Sequence, residues 1–456
     1  MQQDLQDLID KNAQLVLHPA SSVSALLESG PDMIVSADGC YIEDAHGNRL
    51  LDAVGGLWCV NVGYGRRELA RAMQQTAEKL AYYHTFSNAS NPWQVQLAER
   101  LLEHAPAGLG KVFYGSGVSD ANDTLIKIAW HYHTLCGNSG KTKVIAREQG
   151  YHGTSISTAS LTGLGGFHKG FPLPQDFVLR VECPHYYTRG RVDETEEAFC
   201  TRLIDEVATL IANEGADTIA AFFAEPIMGA GGVIEPPEGY YLRLNKLLKK
   251  HDIFLVADEV VCGYGRLGTW FGSEQLGLEP DMISTAKGLT SGYFPMSAAM
   301  ISDTIWDVLK QGSEQLGAFS HGYTYGGHPV GCAVALVNLD IIEREGLVQR
   351  AAESGEDLHA QLRRHLAGHP NVGEIRGRGL IAGVQLVEDK AQRQVPDPAA
   401  KWPLRVTKVT RQHGVVVRPL LGVGTLAMSP PLTISKPQID VLVAALGRGI
   451  DSLASG

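Results

Sequence analysis

The segments TIAAFFAEP (218–226), IFLVADEVV (253–261) and DMISTAK (281–287) decide the fold. Each is a short apolar run that stops on charge: at Glu225, at Asp258-Glu259 and at Lys287. Asp258 follows Glu225 by 33 residues, and Lys287 follows Asp258 by 29. Each gap suits a strand, a crossover and the next parallel strand. In an open parallel sheet the carboxyl ends of the strands share one edge, and ligands bind there. The spacing therefore predicts that acids and a lysine far apart in sequence meet at one edge.

Outward from this centre the same alternation continues. KVFY (111–114), KVIA (143–146), DFVLRV (176–181) and SAAMIS (297–302) read as strands, and Ala121 to about Leu135, 195–213 and 239–250 as helices. Strands alternating with helices predict an α/β fold with a mostly parallel sheet between helices. Upstream, helices are expected at 67–81 and 92–104. GCYIEDAHGNRLLDAVGG (39–56) reads as a hairpin around His46-Gly47-Asn48, after a helical arm in residues 1–30. Beyond 329 the texture changes. Helices at 330–344, 347–366, about 400–413 and from 437 frame the strands NVGEIRG, GLIAGVQLV, VVVRP (415–419) and 425–428. The expected division is 1–66 as the N-terminal segment of a small α+β domain, 67–328 as the large domain, and 329–456 as the rest of the small one.

Composition removes several function classes. The chain has 456 residues, 44% hydrophobic and 20% charged, enough for a sizeable core. Its net charge of −11 gains nothing from the counterion release that drives nucleic-acid binding. No apolar run reaches the ~18 residues of a membrane span. The start, MQQDLQDLIDK, is too polar for a signal peptide. Seven scattered cysteines without a CxxC pair predict reduced thiols, a cytoplasmic protein and no metal site. His131 and His133 do not change this, since an HxH on a helix faces two ways. Glycine is concentrated, with 12 in residues 108–170 and 11 in 229–292. These are the stretches where the backbone would approach a ligand.

Four features carry chemistry. Lys287 enters a tight polar turn (Gly288, Thr290, Ser291, Gly292) beside carboxylates, an arrangement for Schiff-base chemistry. Tyr114-Gly115-Ser116-Gly117-Val118-Ser119-Asp120 joins a strand to a helix whose first amides, with the Ser119 hydroxyl, make a phosphate cup without a P-loop lysine. In Gly150-Tyr151-His152-Gly153, Tyr151 offers a face for a flat ring. Asp258 offers a carboxylate to a pyridine nitrogen. Taken singly, a charged strand end such as Glu225 reads as readily as a solvated loop start, the cup also as an ordinary turn, and Tyr151 as a core aromatic, whereas Lys287 in its tight polar turn fits the bland reading less well; together they describe a pyridoxal phosphate site. The rival is GYGRLG (263–268), a literal GxGxxG with Glu279 and Asp281 downstream, which would suggest a dinucleotide-dependent oxidoreductase. Against it, Asp258 and Glu259 precede the glycines and would repel a pyrophosphate, and TWFGSEQLG, broken by Gly272, offers no clear helix.

ADEVVCGYGRLG (257–268) with STAKGLTSG (284–292) resembles the signature of class III, or ω-, aminotransferases of pyridoxal phosphate fold type I. The likeness extends through LLDAVGGLWCVNVGYG (50–65), VFYGSGVSDANDT (112–124), GYHGTS (150–155), AFFAEPIMGAGG (221–232), HGYTYGGHPVGCA (321–333), GEIRGRGL (373–380) and VVVRPL (415–420). The resemblance implies a fold type I large domain with a seven-stranded sheet and pyridoxal 5'-phosphate as cofactor. Lys287 would form the internal aldimine and move protons, and Asp258 would pair with the pyridine nitrogen. Tyr151 and Val260 would flank the ring, Glu225 would sit by its oxygen side, and His152 belongs with this cofactor-binding group. Gly117, Val118 and Ser119 would bind the phosphate, joined by Thr324 of the partner subunit in a homodimer, or a tetramer of such dimers. The family usually has Ser-Gly-Ser or Ser-Gly-Thr in the cup. Here Gly117-Val118-Ser119 replaces it, and valine resists positive φ.

Pyruvate-using members carry a Trp and an Arg matched by Trp58 and Arg418. Arg418 would clamp the substrate carboxylate and swing away for an amine lacking one. Leu57, Phe86, Tyr151, Ala230 and Tyr323 would line the substrate pocket. The activity implied is ping-pong transfer of an amino group from an ω-amino acid or primary amine to pyruvate, through aldimine and ketimine stages. An aminomutase or decarboxylase is the alternative within the family. As donors, β-alanine, longer ω-amino acids, taurine, polyamines and aromatic amines all fit the resemblance.

Overall fold

The computed structural model describes residues 2–453; Met1 and residues 454–456, at the outer ends of the expected segments, lie outside the described residues. Near the N-terminus, β1 (Ile34–Asp38), β2 (Tyr41–Asp44) and β3 (Arg49–Asp52) form antiparallel pairs. The expected hairpin is β2–β3, with Tyr41 opposite Leu51. Asp44 closes its turn, since Oδ1 accepts the amides of His46 and Asn48 at 3.0 Å each.

The central strands are β4 (Leu109–Gly115), β5 (Lys143–Arg147), β6 (Val178–Val181), β7 (Ile219–Ala224), β8 (Phe254–Asp258), β9 (Met282–Thr285) and β10 (Ser297–Ser302). They form a seven-stranded sheet in the order β4-β10-β9-β8-β7-β5-β6. β10 runs antiparallel to both its neighbours, and the other recorded pairings are parallel. Every residue of β7 and β8 is buried, because both faces of the sheet are covered. Phe223 and Val256 face the helix Val118–Leu135 through Leu125, Ile126 and Ala129. Their neighbours Phe222 and Leu255 face the other way, toward Leu203 and Leu244. Cutting either phenylalanine to alanine would cost about 3–5 kcal/mol.

The chain ends with β11 (Val372–Arg376), β12 (Ala382–Leu386), β13 (Val415–Val416), β14 (Arg418–Leu420) and β15 (Thr425–Met428). A four-stranded sheet runs β11-β12-β15-β14, and β13 pairs parallel with β3, joining the C-terminal part to the N-terminal hairpin. Three expectations are corrected here. VVVRP is two strands in two sheets: Val415 pairs with Leu51, whereas Arg418 pairs with Ala427. Pro419, with no N–H to donate, sits in β14 at the sheet edge, where such a gap is tolerated. The helix expected from Ala121 starts at Val118, capped by Gly117 in extended conformation. Residues Gly272–Leu276, read as non-helical, form a one-turn helix. Among the described residues no helix is long and apolar enough to cross a membrane.

Candidate active site

β4, β5, β7, β8 and β9 all run the same way, so their carboxyl ends share one edge. The cup residues follow β4, Tyr151 and His152 follow β5, and Glu225 follows β7. Asp258 ends β8, and Lys287 lies two residues beyond β9. The edge thus gathers the acids and the lysine, as their spacing predicted, and Tyr151 and His152 follow a strand that ends on the same edge.

Asp258 is almost wholly buried and accepts three hydrogen bonds. His152 Nδ1 and Asn122 Nδ2 reach Oδ2 at 2.8 and 2.9 Å, and the Val260 amide reaches Oδ1 at 3.2 Å. Asn122 also donates to the His152 carbonyl at 2.8 Å, tying the two partners together. With Nδ1 donating to the carboxylate, His152 keeps Nε2 as a buried atom with no protein partner. Glu225 is equally buried, and burial pushes its pKa up. Its oxygens accept the amides of Tyr151 (2.9 Å) and Gly229 (2.8 Å). Arg147, fully buried beneath it, donates to the Glu225 carbonyl at 2.6 Å and to the Tyr241 hydroxyl at 2.9 Å.

Lys287 opens a one-turn 3-10 helix at φ 45°, a left-handed conformation uncommon for a side chain of this size. The turn is held from behind. Asn338 Nδ2 donates to the carbonyls of Gly288 (2.9 Å) and Leu289 (3.0 Å), and Ser291 Oγ donates to Asn338 Oδ1 at 2.6 Å. Asn61 packs where a Cβ on Gly288 would stand. Part of Lys287 reaches the cleft, but the protein around it desolvates the amine and lowers its pKa, against the opposing pull of Cys59, Asp258 and Glu225. Nζ makes no hydrogen bond or ion pair among the described residues, and lies 5.2 Å from the Trp58 ring centroid.

At the cup, Gly117 has φ −164° and Val118 begins the helix, so the valine never needs positive φ. The first amides of the helix have no partner within it and face outward as donors. Asp120 braces the turn by accepting the Ser116 amide at 2.8 Å, and Ser119 Oγ accepts the Thr154 amide at 3.0 Å. Tyr151 is half-buried, edge-on to Phe167 at 5.4 Å, and burial raises its pKa. Val260 is buried just past Asp258.

The substrate residues divide into two groups. Trp58 is buried, with the Arg418 guanidinium 5.4 Å from its ring centroid. Gly229 lies beneath the indole, and a Cβ there would come within 2.8 Å of Trp58 Cζ3. Ala230 is half-buried beside it, and Leu57 is 51% exposed. Phe86, Tyr323 and Thr324 form the second group, beside the first turn of the cup helix. Phe86 packs on Gly322, the Tyr323 hydroxyl donates to the Asp120 carbonyl at 3.0 Å, and Tyr82 donates to the Thr324 carbonyl at 2.8 Å. Thr324 is exposed. Four polar residues in these networks, Asn122, Asn61, Asn338 and Arg147, escape the sequence reading. Asn122 and Asn61 had a signal, their places in the quoted segments VFYGSGVSDANDT and LLDAVGGLWCVNVGYG; Asn338 and Arg147 had none.

The rival glycine motif has a structural use. Gly265 and Gly268, at φ 90° and 88°, let residues 263–268 turn tightly against Leu432 and Ala352. Arg266, fully buried, donates to the Leu380 carbonyl and to Asn61 Oδ1. Glu259 caps the short helix, its carboxylate accepting the amides of Gly272 (2.9 Å) and Ser273 (2.6 Å). Asp281 accepts the Leu255 amide at 2.8 Å, and Glu279 pairs with Lys249. No pyrophosphate cradle remains there.

A desolvated lysine without a partner, a buried carboxylate held by three donors, a ring-sized aromatic and a helix start at one sheet edge fit a pyridoxal phosphate enzyme of fold type I. The chain belongs to the class III aminotransferases: the model of that family, "Aminotransferase class-III", matches residues 28–450. It is 41% identical over 98% of its length to a diaminobutyrate–2-oxoglutarate transaminase of Halomonas elongata, covering 96% of that protein. It superposes with TM-score 0.96 on the omega transaminase from Pseudomonas jessenii in complex with PMP, at 40% identity and 98% coverage of each chain. It matches equally well, at TM-score 0.96 and 40% identity over 98% of this chain and 99% of that one, a thermostable omega transaminase engineered for asymmetric synthesis of enantiopure bulky amines. Replacements at a tryptophan, a phenylalanine and an arginine define that variant. As a class III aminotransferase the protein uses pyridoxal 5'-phosphate.

Proposed function

We propose that the enzyme transfers the amino group of an ω-amino acid or primary amine to pyruvate, giving alanine and an aldehyde or ketone. The observation that carries this reading is Arg418. It is half-buried, has no carboxylate partner among the described residues, and keeps a buried, unsatisfied Nε while its guanidinium rests on Trp58. Burial lowers its pKa, so a ligand carboxylate would relieve a real electrostatic deficit. One arginine on an aromatic wall suits one carboxylate, as in pyruvate, and when displaced leaves an apolar cleft for an amine. The engineered relative changes the same three residue types that this chain offers as Trp58, Phe86 and Arg418.

When bound, the cofactor supplies an electron sink for the carbanion formed at the donor carbon. Lys287 would hold the cofactor and, once freed, take the proton from the donor carbon in the first half-reaction and deliver one to the former carbonyl carbon of the acceptor in the second; its lowered pKa keeps a larger share of the amine uncharged. Asp258 presents its carboxylate to the ring nitrogen, oriented by His152 and Asn122. Glu225 stands near Asp258 and fixes the Tyr151 amide. Val260 flanks the ring opposite Tyr151, and Gly117, Val118 and Ser119 offer amides and a hydroxyl to the phosphate. Leu57 and Ala230 extend the Trp58 wall.

Phe86, Tyr323 and Thr324 complete the neighbouring site of a homodimer. In support, they lie on a face that also exposes Tyr82, Tyr83 and Tyr325, an aromatic surface suited to a second copy. Parallel pairing of β3 with β13 favours the division into 1–66, 67–328 and 329–456. All seven cysteines are free thiols, which favours the cytoplasm.

The test is a donor panel run with pyruvate and, separately, with 2-oxoglutarate, the acceptor named for the Halomonas relative. Alanine formation dependent on an amine donor is expected. Glutamate without alanine would replace pyruvate as the acceptor, and product without either would point to an aminomutase or decarboxylase.

A further inference from the structure

We propose that Asp52 and Tyr64 are positioning residues for donor size, because together they fix the turn that presents Trp58 to the cleft. The inference rests on the reading of Trp58 as part of the substrate wall. Residues 54–58 do not form regular structure: Gly55 has φ 58°, Gly56 has φ 67° and ψ −100°, and Trp58 has φ 59°. Tryptophan rarely occupies the left-handed region, and it stays there only where its surroundings over-determine the backbone.

The buried carboxylate of Asp52 supplies that determination. Oδ1 accepts the Val54 amide at 2.9 Å, an ordinary local turn. Oδ2 accepts both the Gly56 amide at 2.6 Å and the Tyr64 hydroxyl at 2.7 Å. The second pair is the informative one, because it anchors the residue with the least regular backbone. A Cβ on Gly56 would stand 3.4 Å from Tyr64 Oη, so the phenol also lies against that residue. Burial and then the Asp52 charge push the Tyr64 pKa up, so its hydroxyl remains a donor. The other side of the turn is stitched to the C-terminal part: Ser429 Oγ donates to the Val54 carbonyl at 2.9 Å, and the Ser429 amide donates to the Ala53 carbonyl at 2.8 Å.

The turn delivers the indole into a narrow slot. Gly229 floors it, and Lys287 and Arg418 stand 5.2 and 5.4 Å from the ring centroid. A small rotation of residues 56–58 would move the ring along the cleft. Asp52 and Tyr64 therefore set the width left for a donor while touching neither donor nor cofactor.

The experiment uses holoenzyme of wild type, Tyr64→Phe, Asp52→Asn and the wall control Trp58→Gly. Each is mixed, without acceptor, with a small donor (sec-butylamine) and a bulky one (α-methylbenzylamine), and the decay of the bound cofactor's visible band gives an apparent second-order rate constant. Tyr64→Phe is expected to raise the bulky-to-small ratio about tenfold, the lower end of what one hydrogen bond to a charged acceptor is worth. Asp52→Asn moves it in the same direction, and Trp58→Gly moves it further. If Asp52→Asn does not fold, Tyr64→Phe decides alone. A purely structural role would lower both rates and the thermal midpoint with the ratio unchanged. That outcome, with Trp58→Gly still shifting the ratio, overturns the positioning proposal and leaves the wall reading intact. A Trp58→Gly ratio equal to wild type overturns the wall reading and the proposal with it.

Discussion

Asp258 Oδ2 lies 2.8 Å from His152 Nδ1, and both side chains are sealed from solvent. Asn122 shares the same oxygen and also holds the His152 backbone, so carboxylate, imidazole and amide form one buried unit. In such a unit each partner restricts the others.

Removing the imidazole should therefore reach the reaction through Asp258. His152→Ala leaves the carboxylate with two donors, a loss on the scale of 1.5–3 kcal/mol for a charged acceptor. We expect kcat/KM to fall on the order of tenfold to a hundredfold, with the pH titration of the cofactor's absorption band displaced. Asn122→Ala should do the same. Wild-type kcat/KM and an unmoved titration in both variants would show that Asp258 needs no such support.

Lys287→Met makes two predictions from one side chain. The variant should bind cofactor that borohydride cannot fix to the protein. It should also be more stable without cofactor. Burial holds the Lys287 pKa below its ordinary 10.5. Between the lowered value and the ordinary one the unfolded chain binds the extra proton, so stability rises with pH across that window and is penalised in full below it. Methionine removes the penalty. The thermal midpoint of the cofactor-free variant should exceed that of wild type near neutral pH, and the gap should close as the pH approaches the ordinary lysine value. A constant gap across that range would place the stabilisation elsewhere.

What could be read from sequence follows from where the information lies. β7, β8 and β9 were legible because each is a buried apolar run ending on charge, and a parallel sheet turns three such ends into one edge. The split of VVVRP was not, since five residues carry no sign of which sheet they join; the long-range partners Leu51 and Ala427 decide it. Ser119 and Asp120 look like caps in the sequence and put the helix start at Ala121, three residues late, whereas Gly117 takes that place. Asn338 was invisible for a related reason. It stabilises the Lys287 turn from 50 residues away in sequence, and an asparagine inside a helix has no periodic signature.

Glu259 should leave a mark on pH-dependent stability. Burial pushes its pKa from 4.5 to about 7. Between those values the native state binds more protons than the unfolded chain. Stability from this group is therefore present below the unfolded pKa and lost as pH rises toward the folded one, by up to about 3 kcal/mol. Glu259→Gln cannot titrate, but its amide must turn a donor toward one of the Gly272 and Ser273 N–H groups, costing about 1–3 kcal/mol. The variant should melt below wild type near pH 5, and the difference should shrink or reverse near pH 8. Thermal scans of both proteins at the two pH values check this; parallel pH profiles would refute it.

The cup offers the last prediction. Gly117 has extended backbone that any residue can adopt, and a Cβ there meets no atom within 4 Å. Val118 already lies in the helix, so the amide donors do not depend on a glycine at that position. Gly117→Ser would place a hydroxyl at the mouth of the cup, as the usual family pattern does, without strain. One added hydrogen bond to a phosphate should lower the cofactor's Kd about fivefold. Val118→Gly keeps the same amides and loses only helix propensity, about 1 kcal/mol or less at a helix start, so its Kd should stay within about threefold of wild type. Absorbance titration of cofactor-free protein measures both. Weaker binding by Gly117→Ser, or a collapse of binding in Val118→Gly, would mean that the phosphate is held somewhere other than this helix start.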